Sequence, residues 1–214
     1  MCASVCYACS GWYCMPENKR IYQRWLRETR RKGFGQKIIR EIAKRGYELF
    51  RIHSAGDFYD APYIRKWISI VKACPQTTFV SYTRTWRCPD KLAALRELAA
   101  LPNMIMWWSA DSETHAINGR PPRISGVRVA YLVIDYDEWV PAYADLVFRH
   151  RRKTIEKYRN GRLMCPAENG IEYKYHMTCG DCSLCYRNRE VPKKCRDSSS
   201  STTLAPLTVL SGAR

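Results

Sequence analysis

The chain has 214 residues, 46% of them hydrophobic, with 36 lysines and arginines against 20 acidic residues and a formal net charge of +16. That length and apolar content specify one domain, or one with a small appendage, and exclude a globally disordered chain. No run of about 18 apolar residues is present, which excludes a membrane-spanning helix, and without a signal-peptide pattern the expected location is the cytoplasm.

Three cysteines come first: Cys2, Cys6 and Cys9, spaced C-x3-C-x2-C, with Tyr7 behind the second. Three thiolates on one short loop can hold three corners of a four-iron cluster and leave the fourth iron open to a ligand. Zinc is the alternative metal, with Cys14 as fourth ligand. A helix follows, with Ile21, Tyr22, Trp25 and Leu26 on its apolar face and Arg20, Arg24, Arg27, Arg30 and Arg31 around the rest. Gly33 and Gly35 break it, and Ile38, Ile39, Ile42 and Ala43 resume an amphipathic pattern to Gly46.

Strands and helices then alternate. Strand character over 47–53 ends in Ser54, Ala55, Gly56 and Asp57, and Ile64, Trp67, Ile68 and Val71 mark a helix. A strand over 78–82 ends in Thr83 and Arg84; Leu92, Leu95, Leu98 and Leu101 form another helical stripe. A third strand over 104–108 ends in Ser109, Ala110 and Asp111, and a fourth over 127–134 ends in Asp135. This order predicts parallel strands with right-handed crossovers: an α/β fold, either a partial (β/α) barrel or an open parallel sheet of about four to six strands. One or two further strands are expected near the N-terminus or in the 140s.

Parallel α/β folds place their chemistry at the carboxyl ends of the strands. Ser54, Gly56 and Asp57 are therefore candidates to hold a cofactor, Asp57 by gripping an ammonium; the alternative is a turn in which Asp57 caps the next helix. Arg84, beside Thr83, suits a carboxylate held through both nitrogens. Asp111, after Ser109, suits a ribose hydroxyl. Trp107 and Trp108 cannot face one side of a strand, so at least one packs in the core.

From Arg149 the chain becomes basic and cysteine-rich. Cys165 with Cys179, Cys182 and Cys185 offers a full ligand set, for an iron–sulfur cluster or for zinc, with His176 as a substitute ligand. Eleven cysteines in a reducing compartment favour metal over disulfides. Cys14 and Cys195 are spare ligands, and Cys74 and Cys88 ordinary small residues. The expected division is a barrel-like domain over 1–148, a cluster-binding appendage over 149–196 and a disordered Ser/Thr-rich tail over 197–214. The positive charge attracts polyanions and makes nucleic acid an expected partner; the plainer reading is a solubilising surface.

The stretches RIHSAGDFYDAPYIRKW, FVSYTRTWRCP, LAALPNMIMWWSAD, MCPAENG and TCGDCSLC, in this order over roughly 2–186, resemble the phage "gene product 88" domain family. That family resembles a compact, divergent branch of the radical-SAM proteins, which cleave S-adenosylmethionine (SAM) at an iron–sulfur cluster. The resemblance implies that Cys2, Cys6 and Cys9 hold the SAM-cleaving cluster, with Tyr7 near the adenine. Asp57 and its glycine take the amino-group-binding place, and Cys165, Cys179, Cys182 and Cys185 hold an auxiliary cluster. It further implies two 4Fe–4S clusters, a flavodoxin or ferredoxin as electron donor, and modification of a substrate such as nucleic acid. The alternative is a non-catalytic phage nucleic-acid-binding protein with structural zinc or iron–sulfur sites.

Overall fold

The structure, a computed structural model, describes residues 6–9, 11–135, 137–149, 158–159, 162–166 and 182–186. Two single-turn 3-10 segments, Tyr7–Cys9 and Gly11–Cys14, lead into helices α1 (Pro16–Arg30) and α2 (Phe34–Arg45). The alternation then runs β1 (Leu49–Ile52), α3 (Ala61–Ala73), β2 (Thr78–Thr83), α4 (Pro89–Ala99), β3 (Met104–Asp111), α5 (Ser112–Asn118), β4 (Arg128–Val133) and β5 (Leu146–Arg149). Two short strands, β6 (Tyr158–Arg159) and β7 (Arg162–Leu163), pair antiparallel.

Local signals set these boundaries. Pro16 and Pro89 stand at the first positions of α1 and α4, where a missing N–H costs nothing. Gly46 ends α2 in the left-handed region at φ 61°, its N–H bonded to the Ile42 carbonyl. Asp60, rather than Asp57, caps α3 by accepting from the Tyr63 N–H at 2.7 Å.

The five main strands lie in sequence order β1-β2-β3-β4-β5, and every neighbouring pair is parallel. The strand expected in the 140s is β5; no strand precedes β1 among the described residues. β3 runs three residues past its expected end because Ser109, Ala110 and Asp111 pair with Ala130, Tyr131 and Leu132 of β4. The appendage expected over 149–196 and the tail over 197–214 lie largely or wholly outside the described residues.

Both sheet faces are buried, as in parallel sheets generally. The outer face carries Phe79, Met106, Trp108, Val129 and Tyr131, packed with Ile38 and Ile42 of α2, Ile64, Trp67 and Val71 of α3, and Leu95 and Leu98 of α4. The inner face carries Val80, Ile105, Trp107, Ala130 and Leu146, with Tyr82 and Phe148 against them. Tyr82 on β2 and Phe148 on β5 meet with ring centres 5.8 Å apart. Three strand spacings in a flat sheet would separate them by about 14 Å. The sheet is therefore curled into a half-barrel with its inner face concave.

His53 follows β1 and lies among Phe58, Tyr63 and Trp67, its Nε2 hydrogen-bonded to the Tyr63 hydroxyl at 2.8 Å. Burial lowers its pKa from 6.5 to about 4. In the unfolded chain the ring takes up its proton near 6.5, so the stability tied to neutral His53 is fully present above that pH and is lost as pH falls from 6.5 towards 4. Urea denaturation at pH 7 and pH 4 should show this as a loss on the order of 3 kcal/mol. His53→Phe should remove that share of the pH dependence; an equal loss in both proteins would refute the assignment.

Candidate functional site

The N-terminal cysteines begin at a tight turn, with the Cys9 N–H donating to the Cys6 carbonyl at 2.9 Å. Loss of hydration at the exposed Cys9 thiol pushes it up, and the Cys6 and Cys14 thiols push it further. Thiols crowded without a cation resist ionising, and a metal relieves that repulsion. Cys14 thus lies within electrostatic reach of Cys9. Cys2 lies outside the described residues, and Tyr7 is placed in the 3-10 turn by its backbone. Tyr13 stacks on Tyr22 at 6.0 Å, holding the segment along the N-terminal half of α1.

The other end of α1 meets the carboxyl edge of the sheet. Thr29 Oγ1 and the Tyr59 hydroxyl are 2.8 Å apart, and Lys66 Nζ donates to the Thr29 carbonyl at 2.6 Å. At this edge Asp57, Thr83, Arg84 and Asp111 come together. Asp57 Oδ1 accepts from the Phe58 N–H at 2.7 Å and from the Thr83 hydroxyl at 2.5 Å, and Oδ2 accepts from the Arg84 N–H at 2.7 Å. A carboxylate offers about four acceptor positions. Three are already engaged in tying the ends of β1 and β2 together.

Asp111, 1% exposed, caps α5 through the Thr114 N–H at 2.9 Å and pairs with Arg84 Nη2. Burial alone would raise its carboxyl; the Thr114 N–H and the Arg84 guanidinium outweigh it and hold the group below the ordinary carboxylate value. Arg84 Nη1 is buried with no hydrogen-bond partner among the described residues. Ser109 lies nearby, its carbonyl accepting from Trp86 Nε1 at 2.9 Å, while Ser54 and Gly56 are exposed in the loop after β1. Among the described residues Arg84 Nη1 is thus a buried cationic donor left over at this edge, suited to an anion.

The concave face holds a ladder absent from the sequence expectations. Arg51 lies 5.4 Å over the Tyr82 ring, Tyr82 stacks on Trp107 at 5.7 Å, and Arg128 lies 3.8 Å over Trp107. Trp107 and Trp108 do point to opposite faces. The 182–186 turn covers this ladder: the Cys185 carbonyl accepts from Trp107 Nε1 at 3.1 Å and from Arg128 Nη2 at 3.3 Å. Burial, and the Cys185 thiol next to it, push the Tyr82 hydroxyl far above the usual tyrosine range. The period-two placement of Arg51, Tyr82, Trp107 and Arg128 was visible in the sequence, but their meeting depends on strand register.

Cys165 is buried beside β5, its N–H donating to the Val147 carbonyl at 2.7 Å. Among the described residues no three His, Cys, Asp or Glu side chains converge closely enough to hold a metal ion. Cys179 and His176, expected in the second set, lie outside them, as does Cys195. The first set supplies donor chemistry suited to a metal, with the Cys6 thiol close enough to Cys9 to interact with it.

A family model described as gene product 88 matches residues 1–188. The chain is 24% identical over 151 residues to the Gene 88 protein of Mycobacterium phage D29, covering 69% of this chain and 54% of that protein. It is 31% identical over 85 residues to the Gene 88 protein of Mycobacterium phage L5, covering 40% of this chain and 34% of that one. The chain thus spans about half or less of these relatives' length. No solved structure matches.

Breaking a buried pair by removing one partner strands the other charge. Asp111→Ala should therefore lower stability in urea denaturation by about 3–5 kcal/mol, lost cap included. Adding Arg84→Met should recover part of that loss. Strictly additive losses would show that the two side chains are not coupled.

Proposed function

From a chain that belongs to the gene product 88 family, we propose a radical-SAM-type iron–sulfur protein acting on a polyanionic substrate such as nucleic acid, in the host cytoplasm. The observation that carries this reading is Arg84 Nη1, a buried donor without an acceptor among the described residues at the carboxyl edge of a parallel half-barrel. An unmade buried hydrogen bond to a charged group is costly, and an anionic ligand removes the cost.

In this reading Arg84 receives the carboxylate of SAM's methionine portion, while Asp111 fixes the guanidinium in place. Asp57, with one acceptor position left, takes the ammonium beside Gly56, and Thr83, Ser54 and Ser109 supply polar contacts around it. Cys2, Cys6 and Cys9 hold the SAM-cleaving cluster, with Tyr7 close to it. Cys165, Cys179, Cys182 and Cys185 hold a second one. A cluster held by Cys2, Cys6 and Cys9 would supply one-electron chemistry for reductive cleavage of SAM, with a flavodoxin or ferredoxin as the electron donor. The curled sheet and the ladder of Tyr82 and Trp107 exclude water from behind the site.

The second reading is a non-catalytic nucleic-acid-binding protein stapled by structural zinc or iron–sulfur sites. It is favoured by Arg20, Arg24 and Arg27, exposed at helical spacing along α1, where they would meet phosphates.

Anaerobic reconstitution followed by iron and sulfide analysis should give close to two four-iron clusters per chain. Reduced protein with SAM should then form 5′-deoxyadenosine. Cys6→Ala should abolish that product, and Arg84→Lys should raise the KM for SAM about tenfold or more by losing the planar fork. Zinc without sulfide, or a loaded cluster with no 5′-deoxyadenosine above the Cys6→Ala background, would overturn the first reading and leave the second.

A further inference from the structure

A groove on the outer flank of the sheet, beside α5, has a volume of about 340 Å³. His115 of α5, Arg120 and Arg123 of the α5–β4 connection, and Trp139 and Tyr143 of the β4–β5 connection line it. Trp139 is 60% exposed, although an indole of that size normally finds cover. Arg120 lies 5.7 Å over the Tyr143 ring, and the Tyr143 hydroxyl is 2.8 Å from His115 Nδ1, which fixes that wall.

Among the described residues no carboxylate lines the groove. Glu138, next to Trp139 in sequence, turns its carboxylate inward to the Tyr131 hydroxyl at 3.1 Å and the Ile134 N–H at 2.8 Å. Arg120 and Arg123 are both exposed. An open aromatic face flanked by two guanidiniums matches a planar base with phosphates on either side. A duplex hides its base faces in the stack, whereas a single strand offers them.

We infer that this groove binds single-stranded nucleic acid, one base stacking on Trp139 and the flanking phosphates meeting Arg120 and Arg123. This deepens the polyanion part of the proposed function, on which it rests, by naming the form of the polyanion and where it docks. Its test uses neither SAM nor reductant, so failure here leaves SAM cleavage standing, and failure of SAM cleavage leaves this site standing.

The full-length chain is titrated against a fluorescein-labelled oligothymidylate of about 12 nucleotides, read by anisotropy. Trp139→Ala should weaken binding by about 5- to 100-fold, and Trp139→Phe should restore most of it. Arg120→Ala with Arg123→Ala should lower the slope of log K against log salt by about 1.4, as expected for two lost phosphate contacts on a single strand. Circular dichroism and melting curves matching the parent establish that the variants fold. Parent-like affinity in folded Trp139→Ala, or an unchanged salt slope in the double variant, overturns the proposal. Displacement of the oligonucleotide by thymidine monophosphate at an equal nucleotide concentration also overturns it, by assigning the groove to free nucleotides.

Discussion

The structure depends on one strand being buried on both sides. β3 carries eight residues, of which only Ser109 is not buried. Its alternation sends Trp108 into the helices and Trp107 into the hollow of the sheet. Two indoles on opposite faces of the middle strand give each layer a large, rigid surface to pack against. Trp108 donates to the Pro122 carbonyl at 3.0 Å and Trp107 to the Cys185 carbonyl at 3.1 Å. The outer connection and the inner cysteine turn are thereby both referenced to the same strand.

Curling of the sheet follows from what fills the hollow. Tyr82, Trp107 and Phe148 are large enough to touch across it, and Arg51 and Arg128 close the ends of the stack with cations over aromatic faces. Arg128 has a second role, since its guanidinium donates to the Leu184 and Cys185 carbonyls and ties a remote part of the chain to the sheet. The backbone of this cysteine turn is thereby fixed to the sheet.

At the carboxyl edge, polar residues mostly satisfy one another. Asp57 and Asp111 differ in what they restrain: Asp57 ties two strand ends through backbone donors, and Asp111 ties a helix start to Arg84. Arg84 Nη1 is an exception, buried without a hydrogen-bond partner among the described residues. A buried donor without an acceptor is the kind of local inconsistency that folds retain at functional positions.

The sequence by itself determined the class of fold, because hydrophobic periodicity and strand-end turns are local properties. The alternation of period two and period 3.6 located α3, α4 and the parallel strands to within a few residues, and Gly46 marked the end of α2 through its own backbone freedom. It also picked out Asp57, Thr83, Arg84 and Asp111, since each directly follows or ends a strand. What each of them does was decided only by tertiary structure. Asp57 looked equally able to cap a helix, and Asp60 caps it instead, because the loop brings Asp57 to the end of β2. The ladder on the concave face and the groove at Trp139 were invisible for the same reason. Both join residues from separate connections or strands, and only the register and curl of the sheet bring such side chains within reach of one another.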